Sequence, residues 1–413
     1  MSKWKSNVIG TWTRRAALAG CALLAPSALC AAEPRVGSHD AFYRQLDQRA
    51  GLQQSSYQPV EQPEIPEHAP EYPASPPVEE AAPEEPKAWT FQSLFDGPDG
   101  KNCLTDNGWT IGGWTEAGYS SGPDGSFTGN GEFLDDEEWG DLHLEQQWFY
   151  IGKVADGSKG FDWGMRADLM YGVDGNDTQA FGNPPGTYDY LNGWDHGIYE
   201  WALPQLYLEF AYDKLSVKVG HFFTPIGYEV VPSNGNFFFS RQLTFYNSEP
   251  FTHTGALGTY KANDKLQILS GWVAGWDTGF QQLNNSSSYL GGFIYQIAEK
   301  TSLTYMVLSG NLGARGDGTI NSVIISQGWT ERFTTVHQFD AFSSNLVNGA
   351  GVPTNFATDL VAGDSIGLIN YGFYTVTPKA KLGIRQELYK ADGIAYNTLT
   401  YGMNLLPCPN LVV

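Results

Sequence analysis

The stretch 205–228, QLYLEFAYDKLSVKVGHFFTPIGY, constrains the fold more than any other part of the chain. Leu206, Leu208, Phe210 and Tyr212 alternate with Gln205, Tyr207, Glu209 and Ala211. After Asp213 and Lys214, the residues Leu215, Val217 and Val219 alternate with Ser216, Lys218 and Gly220. A period of two belongs to a β-strand, whose successive side chains leave on opposite faces. Two such runs separated by two residues read as an antiparallel hairpin. One face of this hairpin is aliphatic and aromatic, while the other carries Gln205, Glu209, Ser216 and Lys218 and needs water.

Ordinary antiparallel sheets also keep one wet face, so the hairpin alone does not fix the fold. The pattern recurs, however, in segments of about ten residues flanked by Tyr, Trp or Phe, as in a membrane-spanning barrel. Strands are predicted at 109–119, 142–152, 161–172, 203–212, 214–223, 254–262, 265–274, 289–298, 301–310, 319–326, 329–340, 365–375, 379–390 and 396–405. In 161–172, Phe161, Trp163, Met165, Ala167 and Leu169 point one way, and Asp162, Arg166 and Asp168 the other. A charge placed at Ala167 should therefore be costly, and Asp168→Asn silent for folding.

The connections are sorted by parity. Asp213-Lys214, Asn263-Asp264, Glu299-Lys300, Gln327-Gly328 and 376–378 are short, whereas 173–202, 223–253, 275–290, 311–318 and 341–364 are mostly long and rich in Gly and Asn. Transmembrane barrels have short turns on one side and longer loops on the other, and a soluble sandwich has no reason to sort its connections this way. The expected fold is all-β, a transmembrane antiparallel β-barrel of about sixteen strands. By the same parity 410–413 begins a fifteenth strand, so the last one or two strands are expected beyond Val413.

With 17% charged residues, 14% aromatics and 48 Gly, the composition suits a wall that meets lipid on one side. No stretch after the N-terminal segment approaches the roughly eighteen uninterrupted apolar residues of a spanning helix. Residues 1–32 read as a secretory signal peptide: Lys3, Lys5, Arg14 and Arg15 precede an apolar run that ends in small residues. A lipoprotein box at Leu18-Ala19-Gly20-Cys21 and a twin-arginine signal at Arg14-Arg15 are weaker readings. Segment 33–57 is short and polar and could form a helix. Segment 58–88 is Pro- and Glu-rich, with eight Glu and neither Lys nor Arg between Pro59 and Pro86, which predicts a disordered linker before a barrel at 89–413. Contact of this acidic linker with the cell wall is the functional reading, and a plain spacer the bland one.

The signal carries four positive and no negative side chains, so its removal takes the net charge from −21 to −25. So acidic a chain makes nucleic acid an improbable partner. Cys103 and Cys408 are the cysteines outside the signal; they lack metal-binding spacing, and sequence does not say whether they pair.

The runs Val219-Gly220-His221-Phe222-Phe223-Thr224-Pro225-Ile226-Gly227-Tyr228-Glu229, Asn236-Phe237-Phe238-Phe239-Ser240-Arg241 and Glu249-Pro250-Phe251-Thr252-His253-Thr254-Gly255 resemble the β-barrel porins of the OmpL-like type, as do Gly383-Ile384-Arg385-Gln386-Glu387 and Leu399-Thr400-Tyr401-Gly402-Met403-Asn404. The resemblance covers the chain from about Trp109 onward. It implies a porin-like barrel in the bacterial outer membrane, surrounded by lipid, and implies no substrate.

The metalloprotease pattern His-Glu-x-x-His is missing. His143 and Glu145 share a strand face and read as a lumen-facing polar pair. The acidic run 135–138 reads as a solvated face rather than a calcium loop. No catalytic residue, metal or cofactor is expected. The expected function is passive diffusion of small hydrophilic solutes or ions, with cations preferred because of the acidic excess. The alternatives are a plugged structural or adhesive surface barrel and an outer-membrane hydrolase. Candidate pore-lining or constriction residues are Arg166, Asp168, Glu209, Lys218, Glu229, Arg241, Glu249, Arg332, Arg385 and Glu387. Glu229, Arg241 and Glu249 lie in 223–254, far longer than a hairpin needs, which either folds into the lumen or packs over its mouth. Association with further copies of the chain is left open.

Overall fold

The computed structural model describes residues 90–97, 102–120, 142–345, 363–391, 393–408 and 410–413. The signal peptide, segments 33–57 and 58–88, and the acidic run 135–138 lie outside the described residues.

Among the described residues, fourteen strands form one antiparallel sheet in chain order: β1 (Trp109–Tyr119), β2 (Leu142–Lys153), β3 (Asp162–Gly172), β4 (Glu200–Tyr212), β5 (Leu215–Phe223), β6 (Thr252–Asn263), β7 (Leu266–Val273), β8 (Ser287–Ala298), β9 (Thr301–Asn311), β10 (Asp317–Gly328), β11 (Phe333–Ser344), β12 (Asp364–Thr377), β13 (Ala380–Ala391) and β14 (Ile394–Leu405). Each strand pairs with its neighbours in sequence, and β1 and β14 stand at the two ends of the sheet among the described residues. After β14 the chain turns, and Val413 exchanges both backbone hydrogen bonds with Leu405 at 2.7 and 2.9 Å.

The central hairpin folds as its alternation requires. β4 pairs with β5 in the register Tyr212↔Leu215, Phe210↔Val217 and Leu208↔Val219, and Asp213 takes a left-handed φ of 48° in the two-residue turn. Leu206, Leu208, Phe210, Leu215 and Val219 are exposed on the convex face, while Gln205, Glu209 and Ala211 are buried on the concave one. On β3, Trp163 is exposed and Asp168 buried, in keeping with the predicted alternation.

Several boundaries differ from the sequence reading. β4, β8 and β10 begin earlier, at Glu200, Ser287 and Asp317, because pairing carries their ladders into residues without clean alternation. The turn placed at Gln327-Gly328 lies instead at 329–332, and β11 starts at Phe333 rather than Trp329. There the backbone N–H groups of Trp329 and Thr330 donate to the carbonyl of Phe333, and the Thr330 hydroxyl accepts from the N–H groups of Arg332 and Phe333. A large aromatic residue suggested strand, but local hydroxyl capping wins. Cys103 and Cys408 are both free.

The concave face packs against the long connections. Leu257, Leu269, Leu290, Met306, Leu308 and Ile320 line it on β6 to β10 and form a buried cluster with Phe222 and Ile226. A second cluster joins Trp148 and Met170 of β2 and β3 to Val231, Phe245 and Phe251, and a third joins Phe238 to Val336, Ile369 and Phe373 of β11 and β12.

Candidate constriction site

The connection from β5 to β6 folds inward. Its base is closed by the Thr224 N–H donating to the carbonyl of Phe251 at 3.0 Å, and by a 3.1 Å contact between the Thr224 hydroxyl and Nε2 of His253. From there the chain crosses to the far wall of the sheet. The reason is chemical: the segment carries Ile226, Val231, Phe238, Leu243, Phe245 and Phe251, whose apolar area gains by leaving water. It also carries charges that burial would penalise unless the wall supplied partners.

The wall supplies them. Arg385 on β13 meets Glu229 of the loop at 2.5 Å and donates to the carbonyls of Ser240 and Arg241 at 2.8 and 3.0 Å. Glu229 also accepts from the Tyr371 hydroxyl at 3.1 Å and from the Gln242 N–H at 2.8 Å. Two residues along β13, the Glu387 carboxylate accepts from the N–H groups of Leu243 and Thr244, both at 2.8 Å, and from the Thr244 hydroxyl at 2.7 Å. Leu243–Ser248 is a short helix, so Glu387 satisfies donors that its first turn leaves open.

Two glutamines clamp the loop from other directions. Gln338 of β11 donates to Glu249 at 2.6 Å and to Asp340 at 2.9 Å, and its oxygen accepts from the Tyr228 N–H at 3.1 Å. Gln146 of β2 donates to the carbonyl of Val231 at 2.9 Å and accepts from the Ser233 N–H at 3.0 Å. At the loop's end Asp277, from the connection after β7, accepts from the N–H groups of Phe251 and Thr252 at 2.6 and 2.8 Å. Burial raises the Asp277 carboxyl to about 7. Burial, and then the neighbouring charge of Asp340, pushes Glu249 well above the usual carboxylate range. Gly227 has a φ of +87°, and a Cβ there would lie 1.8 Å from Oε2 of Glu249, so the loop needs glycine at that point.

The predicted site residues separate into three groups. Glu229, Arg241, Glu249, Arg385 and Glu387 come together at the infolded loop and are buried. Arg241 sits within the loop, its guanidinium 5.9 Å from the Phe245 ring. Arg166, Asp168, Glu209 and Lys218 lie on the opposite wall. Arg166 is paired with Asp168 and stacks 3.8 Å over the Tyr150 ring, and Lys218 lies 5.0 Å over the Tyr207 ring and opposite Glu209 in the register.

Two expectations need correction. Arg332 is exposed in the turn before β11, where its carbonyl accepts from the Thr375 N–H, so it is remote from the loop. The shift of that turn moved it off the wall. Asp168→Asn is not expected to be silent either, because Asp168 accepts from Trp148 and Gln205 as well as from Arg166, and the neutral amide would leave the half-buried Arg166 guanidinium without its counter-charge.

Gln338, Asp340, Tyr371, Gln146 and Asp277 were missed. Concave-face parity on β11 would have given Gln338 and Asp340, had its alternation been continued from Val336. Asp277 sits in an irregular connection and has no such signal. No cluster of His, Cys, Asp and Glu suited to a metal occurs among the described residues.

The family described as "Putative beta-barrel porin-2, OmpL-like" matches residues 108–406. No curated protein matches the chain. Among solved structures, the chain is similar to Pseudomonas aeruginosa OccK8 (OprE), at 13% identity over 64% of this chain and 67% of that one with a TM-score of 0.35. It is also similar to a mutant of Rh. blastica porin, at 14% identity over 72% and 89% with a TM-score of 0.44. A structure described by the words "Asymmetric conductivity of engineered proteins" has 14% identity over 72% and 90%, with a TM-score of 0.45.

Proposed function

The chain belongs to the OmpL-like β-barrel porin family, which implies a bacterial outer-membrane barrel, and from that premise we propose passive diffusion of small hydrophilic solutes or ions past the infolded loop 224–251. The single observation that carries this reading is the Arg385–Glu229 pair, with Glu387 beside it, which holds the loop across the concave side of the sheet. A loop held inside a barrel sets the width of its passage, and the charges left beside it set ion preference. Cation preference is the finer part of the proposal. Arg166 and Arg385 are each ion-paired, so neither offers an unopposed positive charge to a passing anion, while the chain as a whole is strongly acidic.

Single-channel recording of the full-length protein in planar bilayers tests the proposal. Discrete conductance steps are expected, with a reversal potential of cation-selective sign across a potassium chloride gradient. Chloride-selective sign removes the ion preference, and absence of steps removes the channel. One observation favours the second reading, a plugged structural barrel: Leu269, Leu290, Met306, Leu308, Ile320 and Ile369 on the concave face are wholly buried. The same recording separates the two.

A further inference from the structure

Part of the convex face is what lipid requires. On β3 to β5 it presents Trp163, Leu206, Leu208, Phe210, Leu215 and Val219, all exposed and all apolar. On β11 to β14 the same face carries a row of polar side chains. Nδ1 of His337 lies 2.8 Å from Oδ1 of Asn370, as donor, since a carboxamide oxygen only accepts. Asn370 donates to Oε1 of Gln386 at 2.9 Å, and Gln386 donates to Oδ1 of Asn397 at 3.2 Å. His337 faces Asn370 in the β11–β12 register, and Asn370 faces Gln386 in that of β12–β13.

The row is at mid-height. Asn370 is the seventh of the 14 residues of β12, and Gln386 the seventh of the 12 of β13. Apolar residues frame it: Phe339, Leu368 and Leu388 towards the long loops, and Ile384 and Tyr401 towards the short turns, all exposed. In a spanning barrel this is the level of the hydrocarbon, where a polar group without a partner is expensive. A carboxamide has two N–H donors and an oxygen with two lone pairs. The ladder takes one donor and one acceptor position from each of Asn370 and Gln386, so each keeps a second N–H and a second lone pair.

We infer that this face of β11–β14 docks a second copy of the chain. Acyl chains offer neither donors nor acceptors. An identical row offers both: it holds no Asp, Glu, Lys or Arg, and its carboxamides can pair with their own copies, as an isologous contact demands. The apolar frame then packs against its own copy around the hydrogen-bonded centre. The inference rests on the membrane-spanning reading but not on conduction.

Cysteine crosslinking of the full-length protein in its native membrane tests it, in a Cys103→Ser, Cys408→Ser background. Asn370→Cys is expected to give a crosslinked product of twice the chain mass, several-fold more than Leu208→Cys on the apolar half. Asn370→Leu combined with Gln386→Leu should abolish the oligomer while the barrel still folds, since leucine suits a lipid-facing wall. Equal crosslinking at both cysteine positions, a product whose mass is that of a different protein, or an oligomer that survives the leucine pair would overturn the inference. A conducting protein that fails to crosslink refutes the docking and leaves the channel standing. A crosslinked protein that does not conduct does the reverse.

Discussion

Replacing Arg385 by alanine should release the infolded loop. The guanidinium is buried, pairs with Glu229 and holds two loop carbonyls, those of Ser240 and Arg241. Removing one partner of a buried ion pair costs about 3–5 kcal/mol, because the other charge stays buried without compensation. At about 1.4 kcal/mol per factor of ten, the docked loop should lose roughly two to three and a half powers of ten in its equilibrium. Gln338, Gln146 and Glu387 still hold the segment, so Arg385→Ala should show brief excursions to a larger conductance. Arg385→Ala with Glu387→Ala should show the larger state most of the time. Glu229→Leu with Arg385→Leu is the control: no buried charge is left unpaired, although the Gln242 N–H, the Tyr371 hydroxyl and the carbonyls of Ser240 and Arg241 lose a partner, and the loop should stay closer to its native state than in either single variant. Planar-bilayer recording reads conductance, and liposome swelling with sugars of increasing size reads the cut-off. If Arg385→Ala and the Arg385/Glu387 variant conduct as the parent does, the loop does not limit the passage.

Ala167→Arg should destabilise the folded barrel by about 2–4 kcal/mol in lipid, since Ala167 lies opposite exposed Ile151 on the convex face. Asp168→Asn should cost a similar amount by leaving Arg166 unpaired, and urea unfolding from vesicles measures both. Burial raises the Asp277 carboxyl from the ordinary aspartate value of 3.8 to about 7, so the neutral form is favoured by folding. Its stabilising contribution is then complete below the unfolded value and lost as pH rises through the folded one. Between pH 4 and 8 the parent should lose up to about 4 kcal/mol relative to Asp277→Asn, seen as a parent unfolding midpoint that falls relative to that of the variant, and parallel midpoints would refute the assignment. Gly227→Val should displace the loop, because both the left-handed φ and the nearby Glu249 carboxylate exclude a side chain. Conductance above that of the parent is expected, and unchanged conductance argues against the close approach.

The sheet was legible because its signal is local. Alternation in 205–219 fixes the faces, and the sorting of short and long connections fixes the order of strands, each from residues close in the chain. The loop's course was not legible, because what decides it is distant: Arg385 and Glu229 are 156 residues apart, and Glu387 and Thr244 are 143 apart. Glu229, Arg385 and Glu387 were each singled out for charge, but nothing in the sequence joins an acid in one connection to a base eight strands later. The misplacement of β11 is a smaller case of the same kind. Trp329 has the composition of a strand end, and only the Thr330 hydroxyl, which closes a turn over Arg332 and Phe333, shows otherwise.

The distribution of burial along the concave face locates the barrier. On β5, Ser216, Lys218 and Gly220 are half-buried, and Phe222, nearer the long loops, is buried. On β8, Ile294 and Gln296 are half-buried, and Ser288 and Leu290 buried; on β10, Ser326 is half-buried and Ile320 and Ser322 buried. These three strands open towards their short turns and close towards the long connections, whereas on β9 and β13 the concave face is buried towards the turn as well, at Ser302, Thr304 and Lys381. A tightly packed interior would bury both ends alike, and an open tube would bury neither. Along β5, β8 and β10 the gradient instead describes a recess on the turn side, bounded by the loop 224–251 with Phe181, Tyr190 and Trp276 packed beside it. Permeation past such a boundary depends on one segment, and that segment is held to the wall chiefly by charges and amides rather than by strand pairing. A barrier attached in this way can yield while the sheet stays intact, so loss of its anchors should change conductance before it changes the fold.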